Sequence, residues 1–586
     1  MQEHLAQLQD PNPYVRREAA EVLGHMGVAA ARPEVLRALL ERLREDENMW
    51  VRSEAARALG RMGAAAAQKE VLQALGQALR DRDSDVRGEA AEALGKMGEA
   101  AATPEVLGAL LERLREDEGG WVRQAAAGAL GSMGEAAARP EVLEALAECL
   151  REDEASDVRY AAAWALGKMG KAAARPEVIQ ALAERLLQDE SGWVREAAAK
   201  ALGQMGKTTA TPEVLRALSQ CLRKDEDKSV RRGAARALGE MGEAAARPEV
   251  LEALVQALRD RDSDVRSEAA GALGAMGEAA ATPEVLQALA ERLREDEASD
   301  VRYAAAWALG RMGEAAARPK VLRALVQALR RDGDRDVRYE AAWALGKIGE
   351  AAARPEVLGA LVQALRGDED GWVRYKAAEA LGKMGTAAAT PEVLRALIQR
   401  LREDEDWWIR QAAAETLGKM GKVAARPEVL EALVQALRDR VSDVRREAAE
   451  ALGRLLPAHP EALRDFLRVL PVPMTPRKTQ TLEGVLRDRP WAVPALRALL
   501  SDPDPRVRAG AVWALGAMRE FAATPEVVRD LLTRRLDKAP TVRTAALEVL
   551  RKLPVSSETV SAVLRDIQGD EPEAGEAAAW ALERLG

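Results

Sequence analysis

A Val-Arg dipeptide, once replaced by Ile-Arg, recurs every 35 or 36 residues through most of this chain. The marks are Val15, Val51, Val86, Val122, Val158, Val194, Val230, Val265, Val301, Val337, Val373, Ile409 and Val444. Each opens a close copy of one segment, as in Val301-Arg-Tyr-Ala-Ala-Ala-Trp-Ala-Leu-Gly-Arg-Met-Gly313. Such a period means a stack of like supersecondary units, each too small to bury its own apolar face. Length alone would predict roughly four domains; the repeat replaces them with one long array. A stack has no central core and no single deep cleft, so its function is expected along a surface.

Residues 282–313 read as two helices. Thr282-Pro283-Glu284 is a start signal, with Thr as N-cap, Pro at the first helical position and an acid in the first turn. Helix A follows, with Val285, Leu286, Leu289 and Leu293 at helical spacing. The acidic stretch 295–300 ends it, and Asp300 is expected to cap helix B, which begins at Val301 and stops at Gly313. With the Val counted as zero, helix B positions 0, 4, 7, 8 and 11 are apolar and fall in one arc. Positions 2 and 6 point almost opposite that arc.

The Asp-Val-Arg at 85–87, 157–159, 264–266, 300–302, 336–338 and 443–445, each followed by Ala-Leu-Gly, resembles the HEAT repeat. The variant with Leu-Gly near the end of helix B is similar to that of phycobilin lyases. The resemblance covers nearly the whole chain. It implies a ladder of Asp and Arg between neighbouring units, with helix B lining the concave side, so Arg159, Arg302 and Arg338 are expected to be structural.

Regularity fails after Arg454, where Leu455–Pro460 and Pro471–Pro476 are proline-rich. A degenerate unit is expected at Pro476–Leu486. Val-Arg marks return at Val507 and Val542, and a partial copy, Ala577–Leu582, ends the chain. The expected division is a regular array over 1–454 and divergent repeats of the same solenoid over 455–586. The first unit has only a stub of helix A, Gln2 to Gln9, and no polar cap, which implies a preceding domain or a fragment. Arrays like this follow the nucleotide-binding domain of large bacterial NACHT-type signalling ATPases, and the resemblance implies such a parent. Residues 155–167 reappear at 298–310, four units on, as recent block duplication or engineering would leave them.

Composition narrows function. With 86 basic and 95 acidic residues the net charge is −9, well mixed, which argues against nucleic acid as the partner. Cys149 and Cys221 lie two units apart, about 20 Å at helix-packing spacing, too far for a disulfide. Two free thiols and the lack of a signal core or membrane-length apolar run make the cytoplasm the expected compartment and exclude a membrane span. The histidines His4, His25 and His459 are scattered, no zinc spacing occurs, and no nucleophile–base pair can be assembled. The turn Asp81-Arg-Asp-Ser-Asp85 begins like a calcium loop, but Val86 stands where that loop needs Gly. No metal, cofactor or catalytic residue is therefore assigned. The acidic runs 45–47, 116–118, 152–154 and 403–406 read as solvated turn surface.

Aromatic residues form only 3% of the chain, and the core positions hold Ala, Leu, Val and Met instead. Tyr160, Tyr303, Tyr339 and Tyr375 occupy helix B position 2. Trp164, Trp307, Trp343, Trp513 and Trp580 occupy position 6. Lys168, Arg311, Lys347, Lys383, Lys419 and Arg454 occupy position 10. Three consecutive units align Tyr303/Trp307/Arg311, Tyr339/Trp343/Lys347 and Tyr375/Glu379/Lys383, an expected aromatic wall edged by cations. An extended peptide or acidic helix would stack on the rings and place its anionic groups on Arg311, Lys347 and Lys383. Packing of each Tyr and Trp on its neighbours is the competing account. A second aromatic set, Tyr14, Trp50, Trp121, Trp193, Trp372 and Trp408, with Trp407 beside the last, precedes the Val-Arg mark and reads as a hydrophobic staple.

These observations predict an all-α, right-handed α-α superhelical solenoid of about 16–17 HEAT-like two-helix units. The expected function is a non-catalytic protein-interaction scaffold or recognition arm. Its partner protein or peptide would meet Tyr160, Trp164, Tyr303, Trp307, Arg311, Tyr339, Trp343, Lys347, Tyr375 and Lys383. Two rivals stand beside it: a bilin-lyase-like or chaperone-like module, and a nucleic-acid reader stacking bases on the Tyr/Trp/Lys stripe.

Overall fold

Proline opens most A helices; about half of them follow an arginine such as Arg139 or Arg354 with no side-chain cap, and others follow a capping hydroxyl. Thr103, Thr211, Thr282 and Thr390 each accept the backbone N–H three residues on, and the next residue is Pro. A computed structural model of the protein describes residues 1–456, 460–469, 485–486 and 492–556, with Thr559 and Val563. The partial copy at Ala577–Leu582, Trp580, His459, Pro471–Pro476 and all but the last two residues of the expected unit at Pro476–Leu486 lie outside the described residues. Among the described residues every regular element is helical, in the repeated two-helix order of an α-solenoid.

The chain divides into two compact units, Met1–Met312 and Gly313–Gly586. In the first, one repeat is helix A Pro140–Glu152, helix B Ser156–Lys168 and a 3-10 turn Gly170–Ala173. In the second, the equivalent is Pro355–Gly367, Gly371–Met384 and Gly385–Ala388. Helix B ends as predicted: Gly170 has φ +54° and Gly313 φ +57°, a left-handed backbone that favours glycine. The link to the next helix A is not an open loop, because its 3-10 turn buries one alanine, such as Ala137 or Ala173.

Helix B starts earlier than its sequence implied. It spans Ser299–Arg311, with Ala298 at the N-cap, so Asp300 sits inside the first turn and complements the helix's positive end without capping it. An aspartate two residues further back does cap: Asp83 accepts from Asp85 N–H and Asp334 from Asp336 N–H. The buried face is also wider than the predicted arc. Val158, Ala162, Ala165, Leu166 and Met169 are buried as expected, but so are Ala161 and Ala163 at positions 3 and 5. Helix B packs on its own helix A and on the helix B of each neighbour, which leaves only a narrow outer strip.

The Val-Arg arginine ties each repeat to the next. Nε and Nη2 of Arg159 donate to the two carboxylate oxygens of Asp189, at 2.8 and 3.0 Å. Its Nη1 donates to the backbone carbonyls of Asp153 and Glu154 in its own turn. The same fork joins Arg16 to Asp46, Arg87 to Asp117, Arg195 to Asp225 and Arg266 to Asp296 in the first unit. In the second it joins Arg338 to Asp368, Arg410 to Asp439 and Arg508 to Asp537. Arg302 grips its own turn through the carbonyls of Asp296 and Glu297.

The ladder aspartate is not the one in Asp-Val-Arg. It is the helix A terminator inside the acidic run, so the expectation that these runs are solvated surface is corrected at their central residue. Asp46, Asp117 and Asp404 are 5%, 4% and 5% exposed, while their flanking glutamates face water. Each ladder carboxylate also accepts the N–H two residues on, as Asp296 does from Ala298. Burial alone would raise the Asp296 carboxyl, but hydrogen bonds from Arg266 and Ala298 N–H outweigh it and hold it below the ordinary value. Asp46, Asp117, Asp260 and Asp439 are lowered on the same balance.

Removing one partner of such a pair leaves the other charge buried. Asp296→Ala should destabilise the flanking repeats by about 3–5 kcal/mol, read as an earlier transition in urea. A depressed folded pKa gives stability that is complete above the unfolded value, near about 4 for aspartate, and lost as pH falls through the folded value. The urea midpoint should therefore drop steeply below about pH 4. Glu54, Glu240 and Glu447, raised chiefly by burial, titrate in the opposite sense and blunt that drop.

Candidate partner-binding site

Successive B helices touch because of the glycine in Ala-Leu-Gly. A Cβ at Gly60 would lie 2.7 Å from the Ala93 Cα, and one at Gly203 would lie 2.8 Å from the Ala237 Cα. In the second unit a Cβ at Gly418 would meet the Ala451 Cα at 2.8 Å. No real side chain tolerates such distances, so this glycine is a packing residue. With the backbones this close, side chains at positions 2, 6 and 10 stand side by side on the outer strip of helix B.

The expected contact residues occupy that strip, with different depths. Tyr160 and Tyr303 are 39% and 41% exposed. Trp164, Trp307, Tyr339, Trp343 and Tyr375 are half-buried, while Lys168, Arg311, Lys347 and Lys383 are exposed. The position 6 ring lies back over the preceding helix B: the Trp164 Cζ3 sits where a Cβ on Gly131 would be 2.7 Å away, and Trp307 covers Gly274 in the same way. One edge of each indole is thus packing and the rest faces outward. Tyr160/Trp164/Lys168 and Tyr303/Trp307/Arg311 belong to the first compact unit. Tyr339/Trp343/Lys347 and Tyr375/Glu379/Lys383 belong to the second.

Position 6 decides what the position 10 cation does. Where it is Glu, the cation is neutralised one turn on: Glu92 with Lys96, Glu379 with Lys383, Glu415 with Lys419 and Glu450 with Arg454, at 2.6–3.1 Å. Where it is Trp in the regular repeats, the cation lies over the indole instead; Trp513, with Ala517 at position 10, is 5% exposed and packs into the core, against the outward orientation expected of position 6. Lys168 is 5.5 Å from the Trp164 ring centroid, Arg311 5.8 Å from that of Trp307 and Lys347 5.5 Å from that of Trp343. Among the described residues none of these three cations has a carboxylate within salt-bridge distance. They are positive charges held on aromatic platforms and left open to an external anion.

The third expected row differs. Lys376, which sequence reasoning passed over, lies 5.0 Å from the Tyr339 ring and 5.4 Å from that of Tyr375, and pairs with Glu379. Glu379 also takes Lys383, so that cation is internally balanced. Burial would raise the Glu379 carboxyl, but the two lysines hold it below its ordinary value. Burial and the nearby Glu379 charge push the Tyr375 phenol up.

The staple expectation is also corrected. The residue before the Val-Arg mark lies inside the first helical turn on its solvent side, so Tyr14, Trp193 and Trp372 are 76%, 73% and 59% exposed. Trp121 is the most involved in packing of the first-unit set, leaning over Gly88 of the preceding helix B. In the second unit Trp372 stacks on Trp408 at 6.0 Å between centroids.

Two grooves mark the first unit. One, of about 430 Å³, lies on the B face over Gly128 and is walled by Trp121, Tyr160 and Trp164. The other, of about 660 Å³, lies beside the ladder and is lined by Arg115, Glu116, Asp117, Arg123, Asp153 and Cys149. The thiols offer no nucleophile there: burial, with Asp153 adding to it, pushes Cys149 up to about 12, and burial does the same to Cys221. Neither cysteine is paired. No group of His, Cys, Asp and Glu among the described residues could hold a metal ion, and no described helix is long and apolar enough to cross a membrane.

The HEAT-repeat pattern matches in overlapping copies, 2–69, 36–131, 107–203, 143–221, 215–310, 286–361, 322–397, 358–453, 394–483 and 479–551. The chain belongs to the HEAT-repeat family. No curated protein matches it. Among solved structures it is similar to importin beta in a polyethylene glycol condition, with 17% identity, a TM-score of 0.53 and coverage of 100% of this chain and 99% of that one. It is likewise similar to yeast importin-beta, Kap95p, with 15% identity, a TM-score of 0.51 and coverage of 100% and 88%. A structure describing Kap95p binding to RanGDP matches with 15% identity, a TM-score of 0.51 and coverage of 100% and 87%. At these identities the likeness is one of fold.

Native Cys149 and Cys221 should not react with a chromogenic disulfide reagent at pH 8 over minutes, and both should react once the chain is unfolded in guanidinium. Fast native labelling would contradict their burial.

Proposed function

We propose that the protein is a non-catalytic interaction scaffold that binds a partner segment on the outer strip of its B helices. The contacts are the rows Tyr160/Trp164/Lys168, Tyr303/Trp307/Arg311 and Tyr339/Trp343/Lys347, each a pair of aromatic rings with a cation above. Tyr375 and Lys383 contribute at one remove, because Lys383 already has a carboxylate. The observation that carries this proposal is the switch at position 6. Replacing Glu with Trp removes the internal counter-ion and supplies a ring, so the same cation becomes available to an anion from outside. Aromatic side chains beside Arg or Lys are the residue types that dominate binding energy at protein interfaces. The family supports a scaffold role, and Kap95p, similar in fold, binds RanGDP.

A partner suited to each of these rows is a peptide segment bearing Asp or Glu, with an apolar group on the row's rings and a carboxylate on its own cation, Lys168, Arg311 or Lys347. Selection from a random displayed-peptide library should return acidic sequences. Their affinity should fall at least about tenfold in the variant that truncates the row they bind, Tyr339→Ala/Trp343→Ala or Tyr303→Ala/Trp307→Ala, a loss of about 1.4 kcal/mol that is typical of hot-spot truncation. A lower melting temperature with unchanged peptide affinity would assign these rings to packing alone.

A further inference from the structure

Helix B Gly120–Ser132 breaks the pattern of its neighbours at position 6, where it carries Gly128. Glycine inside a helix is destabilising, and the usual compensation is close packing. The Ala-Leu-Gly glycine one turn on shows that compensation: a Cβ at Gly131 would strike Ala165 and Trp164. Gly128 shows none of it, since a Cβ there would meet nothing within 4 Å. What the glycine provides is space.

The space has defined walls. Gln124, Gly128 and Ser132 fall four residues apart on one side of the helix, so the floor of the trough is small and runs along the helix axis. On one flank the preceding helix B presents Glu92 and Lys96, which neutralise each other at 3.1 Å. On the other flank the following helix B presents Tyr160 and Trp164, with Lys168 uncompensated over the indole. Trp121 closes the end nearest the ladder turn. The volume, about 430 Å³, lies within the range of small-ligand sites, but the trough is open along its top. The charged residues lining the trough, Glu92 and Lys96, cancel each other, and Lys168, over the Trp164 ring one turn on, is a cation without a carboxylate. Gly271 repeats the arrangement four units on, again with nothing within 4 Å and again one helix before a Trp/cation pair, Trp307 and Arg311.

Resting on the peptide-scaffold function proposed above, we propose that the Gly128 trough is a side-chain socket. It takes one large apolar side chain of an acidic peptide between Trp121 and Trp164, with a neighbouring peptide carboxylate on Lys168. The aromatic and alanine walls select the apolar group, and the uncompensated cation selects the acid. Because the floor follows the helix axis, the peptide crosses the stack at this point, and Gln124 and Ser132 are placed to meet its backbone.

The test fills the socket without touching its walls. Gly128→Trp installs the residue found at this position in the following unit; Gly128→Ala adds one methyl group to open space. Gly128→Ala should melt at or above wild type, because it removes a glycine from a helix without a clash. Peptides selected on the wild-type protein from a displayed library should carry a large apolar residue next to Asp or Glu. Gly128→Trp should weaken them at least tenfold at an unchanged melting temperature, and Lys168→Glu should abolish the preference for acidic neighbours. If Gly128→Trp binds these peptides as wild type does, while Tyr303→Ala/Trp307→Ala does not, the socket is wrong and the broader scaffold function stands. If no variant on the B face changes binding, or no peptide is selected, both fall. Selection of basic peptides would overturn the charge assignment. A wild-type dimer in sedimentation that Gly128→Trp turns into monomer would make a second copy the occupant and overturn the proposal.

Discussion

The arginine fork is the interaction on which the remaining geometry depends. An α-hairpin repeat can slide or rotate on its neighbour with little change in apolar contact, because Ala and Leu surfaces are smooth and alike. The fork removes that freedom. One guanidinium holds two backbone carbonyls of its own turn and both oxygens of the next unit's aspartate, as Arg159 does with Asp153, Glu154 and Asp189. Each turn is fixed to the one before it, and the aspartate in turn fixes the N–H that begins the next helix B. The planar donor set of arginine suits this task, and a lysine could not reproduce it.

Given that register, the Ala-Leu-Gly glycine sets the spacing. With nothing beyond Cα at position 9, the facing alanine can approach to direct backbone contact. Close backbones leave little room between B helices for large side chains, and the tyrosines and tryptophans of positions 2 and 6 in the regular repeats stand on the outer strip, whereas Phe466 and Trp513 in the divergent repeats are buried. In the regular repeats the gap between helices is filled by alanine, valine, leucine and methionine. The position 6 tryptophans there are intermediate: one edge rests on the glycine of the preceding helix and the other carries a cation.

Much of this was legible from residue types alone. The period, the helix starts at Thr-Pro, the stops at positive-φ glycine and the solenoid fold follow from spacing and local chemistry. The positions of the tyrosines, tryptophans and cations on one strip followed from counting around a helix. Other features depend on neighbours 30 or more residues away and left no local trace. Nothing in Glu45-Asp46-Glu47 distinguishes the middle acid, yet only it receives the arginine of the preceding repeat. The staple failed for a related reason: the helix begins two residues before the Val, which moves Trp50 and Trp193 from the turn to the helix surface. Lys376 and Gly128 were overlooked because they are absences or exceptions within a pattern, a lysine where alanine or glutamate is usual and a glycine where tryptophan stands next door. A repeat is informative about what its copies share, and specificity resides where one copy departs.

The exchange of glutamate for tryptophan at position 6 carries a consequence for how such an array changes over time. The substitution leaves the fork and the Gly-to-Ala backbone contact in place and adds only the edge of an indole over the preceding helix, so the scaffold accommodates it. It nevertheless converts a self-cancelling pair into an outward charge on a hydrophobic seat. An array of this kind can therefore acquire, lose or relocate recognition one codon at a time, each repeat behaving as an independent letter written on a frame that admits the edit.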